Sequence, residues 1–238
     1  MKLLLILVVL ASNIVWGEWI EPPARSAKGY RVPTPDYVPV FPRDHGSHPE
    51  HGIEWWYWVG HLNAVDSEKK FGFQSTIFRL AGDPEKSGVT QSEPFGNQNL
   101  FLVHTALSDF EEEKYIHHER VMREGWQARS SEKTLSLTVG GVKVNLLEEE
   151  DGHKVVTRYP DGAKLELTFK PTKPLVSFGD RGLSRKGADP ASVSWYWSYT
   201  RLQAKGTLFQ NGEEIAVEGI AWMDHEISSS QLGEDLAG

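Results

Sequence analysis

Asp224, His225 and Glu226 stand in the run AWMDHEISSS, directly after Trp222 and Met223. A carboxyl beside tryptophans in an apolar pocket is disfavoured as an anion and can act as a proton donor. Tryptophan faces favour a developing cation through their quadrupoles. Two further runs repeat the association of rings with polar groups. EWWYWVGHL carries Glu54, Trp55, Tyr57 and His61, and SWYWSYTR carries Trp195, Trp197, Tyr199 and Arg201. Buried ionisable groups are costly unless paired or functional. Apolar walls with a few polar handles are the usual anatomy of a small-molecule site.

Other chemistries fit these residues less well. His45, His48 and His51 recur every third residue beside Asp44, Glu50 and Glu54, a set rich in metal-ligand types. The spacing fits no helix face, and Gly46 and Pro49 make the segment a loop, so no metal is expected. Neither a G-x-S-x-G elbow nor H-E-x-x-H is present, and the chain has no cysteine, which removes thiol nucleophiles. In an extended strand Asp224 and His225 point to opposite faces, so DHEISSS alone makes a poor serine triad. A hydrolase that activates water with Asp224, His225 or Glu226 stays open. Trp126 and Trp56 are expected as ordinary core residues.

These residues must be held by strands. From Glu54 onward the chain runs in short β-like stretches separated by turn signals at Gly140-Gly141, Asp151-Gly152, Asp161-Gly162 and Asn211-Gly212. EWWYWVGHL and FGFQSTIFRL read as a hairpin. No stretch sustains helical periodicity. The expected fold is all-β, an antiparallel barrel or sandwich. Residues 18–53 are rich in proline and glycine and are expected to lie extended across that scaffold. Strand parity places Trp55, Tyr57, Val59 and His61 on one face of the first strand, opposite Glu54, Trp56 and Trp58. It groups Trp222, Asp224 and Glu226 opposite Met223 and His225, and Trp195, Trp197, Tyr199 and Arg201 opposite Ser194, Tyr196 and Ser198. The expected cavity is walled by Trp55, Tyr57, Trp195, Trp197 and Trp222, with Arg201 and His61 at its polar ends. Glu54 is expected to orient or support rather than react.

The 238-residue chain opens with MKLLLILVVLASNIVWG, one lysine before a short apolar run and small residues near Gly17. This reads as a secretory signal peptide over residues 1–17, hence an exported, periplasmic or secreted protein. An uncleaved N-terminal anchor is the alternative. The formal charge of −8 gives no electrostatic case for nucleic acid or anionic membranes. The acidic runs 111–113 and 148–151 read as solvated turns.

The stretches FPRDHGSHPEHGIEWWYWVGHL, FLVHTALSDFEEEKYIHHER, SWYWSYTRLQAKGTL and VEGIAWMDHEISSS together resemble the carotenoid 1,2-hydratase/AttH-like family of secreted bacterial proteins. The resemblance implies a lipocalin-like fold, normally two barrels in tandem. Here residues 54–238 look like the first barrel alone, with a missing C-terminal barrel or a partner subunit to cover an open edge. For the hydratase branch it implies cofactor-free addition of water to a polyene. Asp224 then matches the family's acid, with His225 or Glu226 positioning water or the acid, and Trp197 matches a site aromatic. Trp195 and Trp222 stand where the hydratases carry histidine and tyrosine, which places the chain nearer the AttH-like branch. The expected ligand is a polyene, terpenoid or lipid. A non-catalytic carrier of a lipid or hydrophobic metabolite would use the same pocket.

Overall fold

A computed structural model of the chain describes residues 19–83, 99–147 and 152–230. Residues 1–18, which include the expected signal peptide, residues 84–98, the acidic run 148–151 and residues 231–238 lie outside the described residues. The strands are β1 (Ile53–Ala64), β2 (Lys70–Leu80), β3 (Leu100–Asp109), β4 (Lys114–Arg123), β5 (Ala128–Ser130), β6 (Ser136–Val139) and β7 (Val142–Leu146). They continue with β8 (His153–Arg158), β9 (Lys164–Pro171), β10 (Val176–Ser177), β11 (Ser184–Arg185), β12 (Val193–Gln210) and β13 (Glu213–Ser228). Among the described residues the only helical element is a 3-10 turn at Arg43–His45.

All thirteen strands join one antiparallel sheet, in the order β4-β3-β2-β1-β13-β12-β9-β8-β7-β6-β5, with β10 and β11 added against β12. The expected first hairpin is present, with Trp55 opposite Phe78 and His61 opposite Gly72. Asn211 (φ 54°) and Gly212 (φ 82°) turn the chain between β12 and β13. Both central residues are left-handed, which fits a primed hairpin turn and explains the Asn-Gly pair.

The sheet curls into a nearly closed barrel because one face of nearly every strand is apolar. Its two halves meet across the interior. Phe73 stacks on Phe169 with centroids 5.9 Å apart, Ser75 and Thr157 share a hydrogen bond of 2.7 Å, and the Tyr159 hydroxyl donates to the Ala106 carbonyl at 3.2 Å. Trp56, Trp58, Phe71, Phe101, Phe169, Leu202 and Met223 lie in this one core. Fully burying such a side chain contributes about 1.5–3 kcal/mol.

Residues 19–52 cross the barrel without forming a strand and close one end. Trp195 Nε1 donates to the Thr34 carbonyl at 2.8 Å, Tyr37 stacks on Trp195 at 3.9 Å, and Trp56 Nε1 donates to the His45 carbonyl at 3.1 Å. Gly46 allows this plug to seat, because a Cβ there would lie 2.5 Å from the Ser131 carbonyl oxygen. Trp126, expected in the core, is instead 80% exposed. It sits between β4 and β5, where the chain turns at the sheet edge and has no second layer to pack against.

Candidate functional site

Register decides what each ring faces. In β1 and β13, Trp56 stands opposite His225 and Trp58 opposite Met223, while Tyr57 stands opposite Asp224 and Trp55 opposite Glu226. In β12, Trp197 stands opposite His225 and Ser198 opposite Asp224. The parity sets hold, but they fall on two sides of the sheet. Glu54, Trp56, Trp58, Trp195, Trp197, Tyr199 and His225 face inward. Trp55, Tyr57, His61, Trp222, Asp224 and Glu226 face outward. The single wall expected from the sequence is therefore divided by the strands themselves. Arg201 leaves its set. A register shift between Tyr199 and Leu202 adds a residue, so that Leu202 is buried and Arg201 exposed.

The inner cluster is ionic and closed. Glu54 Oε1 meets His48 Nδ1 at 2.7 Å and His225 Nε2 at 2.8 Å, and Oε2 accepts from Arg79 Nε at 3.1 Å and the His48 amide at 2.8 Å. His48 Nε2 donates to Asp44 Oδ1 at 3.1 Å. Carboxylates accept at both ring nitrogens of His48, so both carry protons and the ring is an imidazolium. Burial would lower its pKa, but Asp44 and Glu54 outweigh burial and raise it. Burial would likewise raise Glu54, yet the hydrogen bonds from His225 and His48 hold it well below the carboxylate range. His48, Glu54 and His225 are also the residues whose donor atoms converge within 4.8 Å, as a metal would require. Their contacts in this structure are those of an ion-pair network. Both rings meet the carboxylate at hydrogen-bond length, and Asp44 and Glu54 are balanced by His48 and Arg79. Arg79, which sequence reasoning missed, is recognisable only as a lone cation inside the otherwise buried pattern of β2.

Beside this network lie imidazoles with unpartnered nitrogens. His153 Nδ1 accepts from Trp58 Nε1 at 3.4 Å, so Nε2 carries the proton. His225 donates from Nε2, so Nδ1 is left as an acceptor. Both atoms, both ring nitrogens of His45 and the Trp197 indole nitrogen lack a partner among the described residues. Burial lowers the pKa of His45 and of His153 to about 3, so both rings are neutral.

The outer cluster holds the carboxylates. Trp222 Nε1 donates to Asp224 Oδ1 at 2.6 Å, Ser198 bonds the same oxygen, and the Tyr196 hydroxyl donates to Oδ2 at 3.0 Å. An indole N–H can only donate, so Oδ1 is fixed as an acceptor, and Oδ2 is the oxygen able to carry or pass a proton. Tyr57 also bonds Asp224 and, with burial the larger cause, its pKa is raised. Tyr196 is pushed up to about 12, by burial first and then by Asp224. Glu226 binds Ser194 Oγ at 2.6 Å and Lys186 Nζ at 2.7 Å. Burial raises its pKa despite these partners, and the charge of Asp224 adds to the rise. Segment 172–192 encloses the pair, through Lys186 and through Phe178 stacked on Tyr196 at 4.5 Å. Ser194, Tyr196, Ser198 and Lys186 were absent from the sequence-derived site. The first three share one strand face, but only register shows that this face meets Asp224.

Next to this pair an open groove of about 340 Å³ is lined by Val59, Gly60, His61, Lys173, Thr200, Arg201, Ile220, Ala221 and Trp222. It unites His61, Arg201 and Trp222, three of the predicted ligand contacts. His225, predicted to assist Asp224, points to the opposite side of β13 and belongs to Glu54.

The comparisons agree with this architecture. The model of the AttH-like family matches residues 32–238. A candidate AttH from Nitrosomonas europaea is 31% identical, with a TM-score of 0.71 over 85% of this chain and 59% of that one. Kievitone hydratase from Nectria haematococca is 14% identical, with a TM-score of 0.54 over 88% of this chain and 57% of the hydratase, which speaks for the fold alone. The chain thus spans less than two thirds of either solved protein. No curated protein sequence matches it. The nearly closed antiparallel barrel is lipocalin-like, and the chain belongs to the AttH-like family.

Proposed function

We propose that the protein is exported, binds an extended hydrophobic ligand on the outer face of β1, β12 and β13, and adds water to an alkene in that ligand. The observation that carries this reading is the enclosed pair Asp224 and Glu226 beside an apolar groove, with two tyrosines and an indole ordered around it. Burial raises Glu226, which makes it the donor. Its proton forms the new C–H bond as the π pair is withdrawn, leaving a carbocation beside the Trp222 ring. Water adds through oxygen, and Asp224 Oδ2 takes the released proton. Proton return from Asp224 to Glu226 through solvent completes the cycle, with no cofactor. The AttH-like membership, the fold shared with a hydratase and the N-terminal apolar run support the reading. A partner barrel or subunit over the outer face would exclude water further.

General acid and base groups each contribute about 10²–10⁴-fold. D224N and E226Q should therefore each lower turnover of an acyclic polyene by at least about 100-fold, with ligand affinity little changed. Mass spectrometry of the hydrated product reads turnover, and tryptophan quenching reads binding. Wild-type turnover in either variant would sink the mechanism.

A non-catalytic carrier is the second reading. It is favoured by the donors that already occupy both Asp224 oxygens. It predicts quenching by polyenes or lipids with no product. A hydrolase using the same carboxylates predicts cleavage within a panel of esters and lactones.

A further inference from the structure

The groove beside Asp224 has a floor and wall that are apolar and a rim that is basic. Val59 and Ile220 are each 39% exposed there, an uncommon state for large aliphatic side chains clustered on one patch. Trp222 forms part of the wall and is tied by its indole nitrogen to Asp224. The rim carries Arg201, Lys173 and His61. Arg201 and Lys173 are exposed and have no carboxylate partner among the described residues, although the chain as a whole carries a formal charge of −8. Some other exposed cations are paired, Lys114 with Asp161, Lys205 with Glu218 and Arg181 with Asp36. Lys28, Lys133 and Lys143 also lack a carboxylate partner among the described residues, so it is the apolar groove beside Arg201 and Lys173 that sets this pair apart. Arg201 reaches the rim only because the bulge in β12 turns it outward. Without the bulge it would face the core.

We propose that this groove recognises an anionic amphiphile. The carboxylate or phosphate head sits between Arg201 and Lys173, and the unsaturated apolar tail lies over Val59 and Ile220 toward Trp222 and Asp224. Guanidinium binds both heads in bidentate fashion. The aliphatic patch takes the tail, and the Trp222–Asp224 hydrogen bond sets the end where chemistry would occur. The inference rests on the proposed function for the place of the ligand and adds its head group.

Tryptophan quenching by oleate, by oleyl alcohol and by farnesyl phosphate, each below its micellar concentration, tests it. The two anionic probes separate fatty carboxylates from isoprenoid phosphates. At least one anionic probe should bind about tenfold more tightly than the alcohol. Its affinity should fall several-fold as salt rises, because exposed charges are screened. The double variant R201Q/K173Q should lose the preference while keeping alcohol binding. Both side chains are exposed, so the variant should unfold at the wild-type urea midpoint. Affinity of both anionic probes no higher than that of oleyl alcohol would overturn the head-group assignment and leave the proposed function standing. Binding of an anionic probe with no hydrated product would do the reverse. No binding of any probe would overturn both.

Discussion

Glu54 shows how much one buried side chain can organise. It joins β1 to β13 through His225, to β2 through Arg79, and to the N-terminal plug through His48. Removing its charge would leave Arg79 and the His48 imidazolium short of a counter-ion at full burial. Breaking a buried pair in this way costs about 3–5 kcal/mol. E54Q should therefore lower the unfolding free energy in urea by that amount, and an unchanged midpoint would refute the network. The position of Glu54 opposite Trp55, Tyr57 and His61 was legible in the sequence as alternation. That it faces the core was not. Alternation yields two sets of side chains, and with bulky residues in both sets it does not say which set the barrel encloses. The pairing of Glu54 with Arg79 and His225 depends on strands far apart in the chain.

At the scale of the element, glycines let the long strands coil. A Cβ on Gly206 would come within 1.8 Å of the Glu166 carbonyl oxygen, and one on Gly219 within 2.0 Å of the His61 carbonyl oxygen. Backbone cannot yield as a flexible side chain can. G206A and G219A should each lose about 1–3 kcal/mol in chemical denaturation, as overpacking does. A methyl group on Gly125 would meet nothing within 4 Å, so G125A is the matched neutral control. Strand existence was well marked in the sequence, because the Gly-Gly, Asp-Gly and Asn-Gly pairs punctuate alternating runs. The bulge after Tyr199 was not marked. YTRL contains neither glycine nor proline, and the extra residue is fixed by the pairing of β12 with both β9 and β13. One unmarked residue therefore moved Arg201 from the expected interior to the groove.

The molecule as a whole buries an unusual number of imidazoles at its plugged end, and most of them respond to acid in one direction. His45 and His153 are held neutral in the fold with pKa values of about 3, and His51 with one of about 4, burial being the main cause. Unfolded histidine titrates near 6.5. Between those values the unfolded chain binds more protons, so stability falls as pH drops below about 6.5, by roughly 1.4 kcal/mol per unit for each ring. The lowered carboxyl of Glu54 adds to the loss at more acid pH, since its contribution disappears as it is protonated. His48 works in the opposite sense, and its contribution fades as pH rises through its raised pKa. Urea midpoints measured from pH 7 to pH 4 should decline steeply. H153F should flatten the decline, and an equally steep curve in that variant would show that this ring is not among the groups responsible.

The strand that carries Glu54 also sets a timetable. β1 lies in the middle of the sheet, between its neighbour β2 and the far strand β13, and Glu54 and His225 are separated by 171 residues of chain. During synthesis β1 and β2 can pair early, but their inner face has no second half to pack against until β8, β9, β12 and β13 exist. Pairings so distant in sequence form slowly. The growing chain can therefore build only the open β1–β4 sheet, with the tryptophans of its inner face within reach of a chaperone or protease, until β13 has left the ribosome and the barrel can close behind it.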